Sequence, residues 1–279
     1  MRLLTSTFLA AMLILPAALH AQTLERIKET GEIRLGYRTD AAPLSYEMDG
    51  KPRGYSPVVC YALAPLIGEQ LGMTDIEVVF TPVDTKNRFE KVANGEIDLL
   101  CGASTITLAR REIVDFSNPT YVDGTAVAML NDAPDDLADM SGQSVGVRSG
   151  TTTLEALTNT LESDNIDAKI VSFANHSDGM AALEKAEIQG YFADQSILMY
   201  MLQKSENQAK FKINEGILTI EKHGLALARG DADFRLAVDR GLSTLFANGS
   251  MAKVFKKELP GAEPGAALEA MYLISPTIP

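Results

Sequence analysis

The sequence predicts an α/β protein built from two similar halves. From residue 32 to residue 100, short strand-like segments are separated by stretches with apolar residues at helical spacing. The same strand–helix–strand order begins again at residue 144. This order is typical of a parallel sheet covered by helices. The chain has 279 residues, of which 46% are hydrophobic, and is long enough for two compact domains.

The first half contains three predicted strands and two predicted helices. Residues 32–37 alternate polar and apolar side chains, which indicates a strand. Ser56 is expected to cap the helix that follows, with Pro57 at its first position. Further elements are expected at 76–80 (strand), 88–93 (helix) and 97–100 (strand).

The second half repeats the alternation. Strands are expected at 144–147, 170–173, 189–193 and 225–228, and helices at 152–161, 178–186 and 196–202. Asp231 is expected to cap a long helix, and a last helix covers 251–259. A tail rich in Pro, Gly and Ala begins at Pro260 and has no assigned function.

The N-terminus has the features of an export signal. Arg2 precedes an apolar run over residues 3–15, and small residues precede a predicted cleavage after Ala21. A membrane anchor is the alternative, but the run is shorter than the ~20 apolar residues that a bilayer requires. We therefore expect an exported protein that is not inserted in the membrane after cleavage.

Charge and cysteine content restrict the possible partners. The net charge of −12 argues against binding to nucleic acid, whose phosphates would be repelled. The only cysteines, Cys60 and Cys101, favour a disulfide in an oxidising compartment, with two buried thiols as the alternative. No C-x-x-C or H-E-x-x-H motif is present, so we expect neither a metal nor a cofactor.

Three segments carry side chains suited to a small zwitterion. Arg110 follows a predicted strand and can hold a carboxylate, although an isolated arginine is more often a surface charge. Thr152 begins a helix whose amides can bind an anion, but with Glu155 it also fits a capping box. Asp194 ends a strand and suits an ammonium group or a helix cap.

Four longer segments resemble one family when taken together. They are GYRTDAAPLSYEMDGKPRGYSPVVC, NGEIDLLCGASTITLARREIVDFSNPTY, SVGVRSGTT and LEKAEIQGYFADQSIL. The chain is similar over residues 23–259 to the solute-binding proteins of polar amino-acid transporters. The resemblance implies the type II periplasmic-binding fold, with two discontinuous α/β lobes joined by two hinge strands. The lobes would comprise residues 22–121 with 223–260, and residues 122–222, followed by a tail at 261–279.

The resemblance also implies a ligand site. Arg110 matches the clamp for the α-carboxylate, supported by Thr105 and Thr152, and Asp194 matches the partner of the α-ammonium. The chain is locally most similar to the glutamate/aspartate-binding branch, although it has alanine where that branch has a serine. The further ligand residues implied by this match are Arg38, Arg88, Thr85, His176, Thr151 and, at the departing position, Ala103.

The expected function is that of an extracytoplasmic receptor. It would capture a free L-amino acid, glutamate or aspartate, and deliver it as a monomer to the permease of an ABC transporter in the periplasmic space. One alternative is a dehydratase on the same fold that acts on prephenate-like substrates, which would show turnover. Another is a soluble sensor that docks to a membrane receptor.

Overall fold

The computed structural model describes residues 23–214 and 216–277, so the predicted signal peptide, 1–21, lies outside the described residues. No helix in these two ranges is long and apolar enough to cross a membrane.

The first segment of the chain contains α1 (Thr23–Thr30), β1 (Glu32–Arg38), β2 (Asp40–Ala41), β3 (Ser45–Met48), β4 (Lys51–Arg53), α2 (Tyr55–Gln70), β5 (Glu77–Val83), α3 (Arg88–Ala93), β6 (Leu99–Cys101), α4 (Leu108–Arg111) and β7 (Val114–Phe116).

The middle segment forms a second set of elements, and the chain then returns to the first. The middle segment contains β8 (Tyr121–Leu130), β9 (Ser144–Arg148), α5 (Thr152–Ser163), β10 (Lys169–Phe173), α6 (His176–Glu184), β11 (Gly190–Asp194), α7 (Gln195–Lys204), β12 (Phe211–Ile213) and β13 (Thr219–His223). The returning segment contains β14 (Ala226–Ala228), α8 (Ala232–Ala247), α9 (Ser250–Glu258) and α10 (Ala266–Ile274).

Each half is organised around its own sheet. The first sheet has the order β5-β1-β6-β14-β7, and the second has the order β10-β9-β11-β8-β12 with β13 also paired to β8. The prediction of parallel sheets is wrong in one respect, because β14 and β8 run antiparallel to their neighbours. These two strands enter their sheets directly from the other half. A parallel strand needs a long crossover, usually helical, and these connections have none.

The chain passes between the two halves at two adjacent places. β7 leads into β8, and β13 leads back into β14. The two crossings are hydrogen-bonded to each other, with Thr120 N donating to His223 O at 2.9 Å and Ser117 N to Leu225 O at 2.9 Å. The predicted fold of two discontinuous lobes joined by two hinge strands is therefore present. The lobe boundaries at 121/122 and 222/223 stay predictions.

Both sheets have apolar cores on their two faces. In β11, Tyr191 and Ala193 belong to the cluster on one face and Phe192 to the cluster on the other, as the pleat requires. In the first lobe, α2 and α8 cover one face of the sheet, and residues of α3 cover the other. The C-terminal tail contributes to the first core through Leu268 and Met271 of α10.

The start of α2 differs from the prediction. The helix begins at Tyr55 after Gly54, and Ser56 is not its cap. The first amides are instead satisfied by carbonyl groups of the preceding loop, with Tyr55 N donating to Pro43 O at 3.1 Å. Gly54 has a φ of 103°, and a Cβ atom there would lie 2.4 Å from Pro43 O. Backbone packing therefore replaces a side-chain cap at this helix.

The predicted disulfide is confirmed. Cys60 lies in α2 and Cys101 ends β6, and their sulfur atoms are bonded with a Cα–Cα distance of 6.1 Å. Both residues belong to the core of the first lobe. The bond thus fixes α2 to the strand that leads into the loop carrying Ala103 and Thr105.

We predict that loss of this disulfide destabilises the protein by ~4 kcal/mol, since a bond that closes a loop of this length removes that much unfolded-state entropy. The measurement is urea unfolding of the wild type with and without reductant, alongside the Cys60→Ala/Cys101→Ala double variant. Reductant should lower the midpoint of the wild type only. An unchanged wild-type midpoint under conditions that release two thiols would contradict the prediction.

Candidate functional site

A narrow cavity lies between the two lobes, where several parallel strands end. Arg38, Arg148 and Asp194 are the last residues of β1, β9 and β11. Ligands of open α/β sheets bind at such carboxyl ends. All predicted ligand residues except Thr85 line the cavity. Its lining consists of Arg38, Arg88, Ala103, Thr105, Arg110, Arg148, Thr151, Thr152, Thr153, His176, Phe192, Ala193, Asp194 and Ile197.

Arg110 is oriented toward the cavity by contacts within the first lobe. It lies in the short helix α4, which Thr107 caps by accepting from Arg110 N at 3.1 Å. Its Nη1 donates to Thr105 O at 2.8 Å, and its guanidinium lies over the ring of Phe89 at 5.1 Å from the centroid. Within the described chain it has no carboxylate partner within 4 Å. Arg110 is therefore held in place without a direct ion pair among the described residues, although the charges of Glu155, Glu221 and Asp194 act on it from a distance.

Arg88 is the more deeply buried of the two unpaired arginines. It is 2% exposed at the start of α3 and stacks on Phe89 at 4.8 Å. Its two hydrogen bonds are long, to Ala103 O and to Gly150 O at 3.4 Å each, and its Nε has no partner among the described residues. Burial, and then the charge of Arg38, lower its pKa well below the usual range. A buried cation this poorly paired favours an anionic ligand.

Arg38 and Arg148 meet at a carboxylate that belongs to the protein. Arg38 donates from Nε at 3.0 Å and from Nη2 at 2.7 Å to Asp40 Oδ1. Arg148 donates from Nε to Asp40 Oδ2 at 2.5 Å. Arg148 also donates to the hydroxyl of Thr85, which is how Thr85 joins the site without lining the cavity. These contacts join the two lobes, because Arg148 ends β9 and the other three residues lie in the first segment.

The hydroxyls of Thr105 and Thr152 lie 3.1 Å apart across the cleft. Both contact Glu221 Oε2, the Thr152 hydroxyl at 2.8 Å. Burial raises the pKa of Glu221. The hydrogen bonds from these hydroxyls, together with nearby groups, lower the pKa by more, so the net shift is downward. A hydroxyl that donates to Glu221 offers only its lone pairs to the cavity. The α5 amides, which lack intrahelical partners, are then the second-lobe donors best placed for a carboxylate.

The capping box of Thr152 with Glu155, the alternative reading of this segment, does not form at the start of α5. Thr151 is the N-cap, and its hydroxyl accepts from Leu154 N at 3.3 Å. Gly150, with a φ of 70°, precedes this cap, and the helix begins at Thr152. The side chain of Thr152 is therefore available to Glu221 and to the cavity.

Asp194 faces the cavity and does not act as a helix cap. It occupies the N-cap position of α7, yet its side chain makes no capping bond to the described residues. Its Oδ2 lies 3.5 Å from His223 Nε2, and burial raises its pKa. Burial, and then the charge of Asp194, also raise the pKa of Asp123 to about 7. An ammonium group beside Asp194 would stabilise its charged form.

His176 contributes a neutral ring to the cavity. It is the first residue of α6, which Asn175 caps, and its Nδ1 lies 3.0 Å from the hydroxyl of Tyr191. Burial, and then the charge of Arg38, lower the pKa of His176 to about 3. The ring is thus uncharged at neutral pH. It can offer a hydrogen bond to a ligand, but it adds no positive charge.

Sequence reasoning left four functional positions unassigned. Asp40, Glu221 and His223 were missed because the partners that connect them to the cavity or to the other lobe lie far away in the chain, although Asp40 also pairs with nearby Arg38. The contact of Asp40 with Arg148, for example, joins residues 108 positions apart. Arg148 had a usable signal, since it ends a strand directly before the helix-entry segment with Gly150. Asp194 was identified by the same kind of position, since it also ends a strand directly before a helix.

A family model described as bacterial extracellular solute-binding proteins, family 3, matches residues 33–260. The chain belongs to this family. This family 3 protein is 29% identical over 261 residues to an L-glutamate/L-aspartate-binding protein of Pseudomonas aeruginosa, covering 91% of this chain and 86% of that protein. It is 26% identical over 262 residues to a glutamate/aspartate import solute-binding protein of Escherichia coli, covering 93% and 86%.

Solved structures agree with this membership. An ancestral arginine-binding protein bound to arginine superposes with a TM-score of 0.74 at 24% identity, covering 83% of this chain and 99% of that one. The solute receptor for L-cysteine of Neisseria gonorrhoeae gives 0.72 at 26% identity, covering 85% and 93%. The predicted type II fold is confirmed. The family and the curated relatives, which are named as solute-binding proteins, also confirm a solute-binding receptor rather than an enzyme.

We predict that His176→Gln reduces the acid sensitivity of folding. In the unfolded chain the histidine has a pKa of about 6.5, whereas in the folded protein the buried ring has a pKa of about 3. Stability contributed by the neutral ring is therefore lost as the pH falls below 6.5, by ~2 kcal/mol at pH 5. The measurement is urea unfolding of both proteins at pH 7 and at pH 5. Between these two pH values, the free energy of unfolding should fall by about 2 kcal/mol less in the variant than in wild type. An equal drop in both proteins would show that His176 titrates normally.

Proposed function

We propose that this family 3 protein is a periplasmic receptor for glutamate or aspartate that delivers its ligand to the permease of an ABC transporter. One observation carries the proposal. Four guanidiniums line one narrow cavity, and two of them, those of Arg88 and Arg110, have no carboxylate within 4 Å in the described chain. The names of the curated relatives, which include two glutamate/aspartate-binding proteins, support the same ligand class.

The charge of the lining favours a dicarboxylic amino acid. Four guanidiniums face one lining carboxylate, that of Asp194, and Asp40 and Glu221 supply two more behind the lining residues, which leaves one positive charge in excess. A buried charge is costly unless it is paired. Glutamate and aspartate each bring two carboxylates and one ammonium, so they reduce the excess of positive charge. A neutral amino acid would leave that excess unchanged.

We assign each ligand group a place in the cavity. The α-carboxylate would bind the guanidinium of Arg110 and the amides at the start of α5, and the α-ammonium would bind Asp194. The second carboxylate would lie toward Arg88 and Arg38, beside the neutral ring of His176. Ala103 offers only its backbone, whose carbonyl oxygen already accepts from Arg88 Nη1.

Ligand binding would favour the closed arrangement of the lobes. Arg110 and Thr105 come from the first segment of the chain, whereas Thr152 and Asp194 come from the middle segment. A ligand that contacts both lobes binds the closed state more tightly than the open one. It stabilises the closed state by that difference in binding free energy. The permease would then recognise the closed receptor. The export signal at 1–21 and action as a monomer are part of the same proposal.

We predict that Arg110→Ala abolishes binding of every amino acid, because it removes the only guanidinium assigned to the group that all of them share. The matched control is Arg111→Ala, which removes an exposed charge from the same helix. The measurement is a thermal-shift screen of refolded protein against the common amino acids. A ligand at one hundred times its dissociation constant stabilises the folded state by ~2.7 kcal/mol.

The same screen tests the ligand class. Wild type and Arg111→Ala should be stabilised by glutamate and aspartate more than by glutamine and asparagine. A shift that Arg110→Ala retains would refute the assigned carboxylate clamp. Stabilisation by neutral amino acids alone would refute the acidic specificity.

A further inference from the structure

Asp40 occupies a position that resembles that of a bound ligand carboxylate. Its Oδ1 accepts from Arg38 Nε at 3.0 Å and Nη2 at 2.7 Å, and its Oδ2 accepts from Arg148 Nε at 2.5 Å. The two arginine side chains are 3% and 4% exposed, and the Asp40 side chain is 17% exposed. Both arginines line the ligand cavity, whereas Asp40 lies behind them.

Asp40 is charged at neutral pH. Burial raises its pKa, but the guanidiniums of Arg38 and Arg148 lower it by more, so the net shift is downward. The protein therefore places a permanent negative charge at the end of the cavity where a ligand's second carboxylate would lie.

Arg148 lines the cavity, but its Nε and Nη1 donate to groups of the protein. Besides its bond to Asp40, its Nη1 donates to Ser149 O at 3.0 Å and contacts the hydroxyl of Thr85. Arg38 likewise uses Nε and Nη2 on Asp40. Much of the donor capacity of this arginine pair is thus already used. Arg88, which Asp40 does not contact, is left as the main cation for a second ligand carboxylate.

We propose that Asp40 is a specificity-determining residue, a built-in counter-anion that limits the receptor's preference for dicarboxylic over neutral amino acids. This inference rests on the proposed function and deepens it. Asp40 neutralises part of the charge that would otherwise attract a second carboxylate, and like charges a few ångströms apart repel. The receptor should then accept the amides glutamine and asparagine as weaker ligands rather than reject them.

The pair of Asp40 with Arg148 also ties the lobes together. Asp40 lies in β2 of the first segment, and Arg148 ends β9 of the middle segment. Loss of the Asp40–Arg148 pair should therefore weaken the binding of every ligand by a similar factor, because it destabilises the closed arrangement of the lobes. A ratio of two dissociation constants cancels that common factor and isolates the effect on specificity.

The test is isothermal titration of glutamate and glutamine into wild type and Asp40→Asn, which removes the charge and keeps the shape. The ratio of the glutamine to the glutamate dissociation constant should rise at least tenfold in the variant. The matched control is Asp49→Asn in the exposed turn between β3 and β4, which should leave the ratio unchanged. An unchanged or lower ratio in Asp40→Asn would overturn the inference.

A second measurement uses no amino acid. Asp40→Ala leaves space beside the two arginines, so acetate should raise its melting temperature more than that of wild type or of Asp49→Ala at equal ionic strength. Equal acetate effects in the three proteins would also overturn the inference. Failure of the proposed function can be told apart from failure of this inference. If the proposed function is wrong, wild type binds glutamine more tightly than glutamate. Even so, Asp40→Asn should shift the ratio toward glutamate, and Asp40→Ala should still respond to acetate.

Discussion

Four guanidiniums are confined in one narrow cavity between two lobes, and the surrounding structure is arranged to keep them there. Burying a charge without a partner costs several kcal/mol in free energy. The protein offsets this cost only in part, with Asp40 for Arg38 and Arg148 and with carbonyl groups and the ring of Phe89 for Arg88 and Arg110. The remaining imbalance is the basis of the affinity for an anionic ligand that we propose.

The two-lobed topology makes this imbalance compatible with folding. Each sheet has its own apolar core, so neither depends on the pairing of the cavity arginines. The arginines meet only where the lobes meet, and the paired hinge strands fix how the lobes approach. A ligand that completes the charge pairing therefore acts on the arrangement of the lobes, and it also stabilises the folded protein because the unfolded chain does not bind it. This separation suits a receptor that must bind and release.

Part of this site follows from the sequence and part does not. Arg110 and Asp194 were predicted because one follows a predicted strand and the other ends one, each in a segment that resembles the family. Asp40 was not, because its role depends on Arg148, which lies far away in the sequence and on the other lobe. The central strand β8 was missed because Gly124 and Asp123 interrupt its apolar pattern. The cap of α2 was predicted wrongly because carbonyl groups of the preceding loop, and not the side chain of Ser56, satisfy its first amides.

The most direct test is a crystal structure of the protein with L-glutamate. The account predicts the α-carboxylate on Arg110, the ammonium on Asp194, and the second carboxylate within hydrogen-bond distance of Arg88, with Asp40 still bound to Arg38. A glutamate whose second carboxylate points away from Arg88, or whose ammonium lies among the arginines, would contradict it. In either case the unpaired guanidiniums would serve a purpose other than recognition of an acidic ligand.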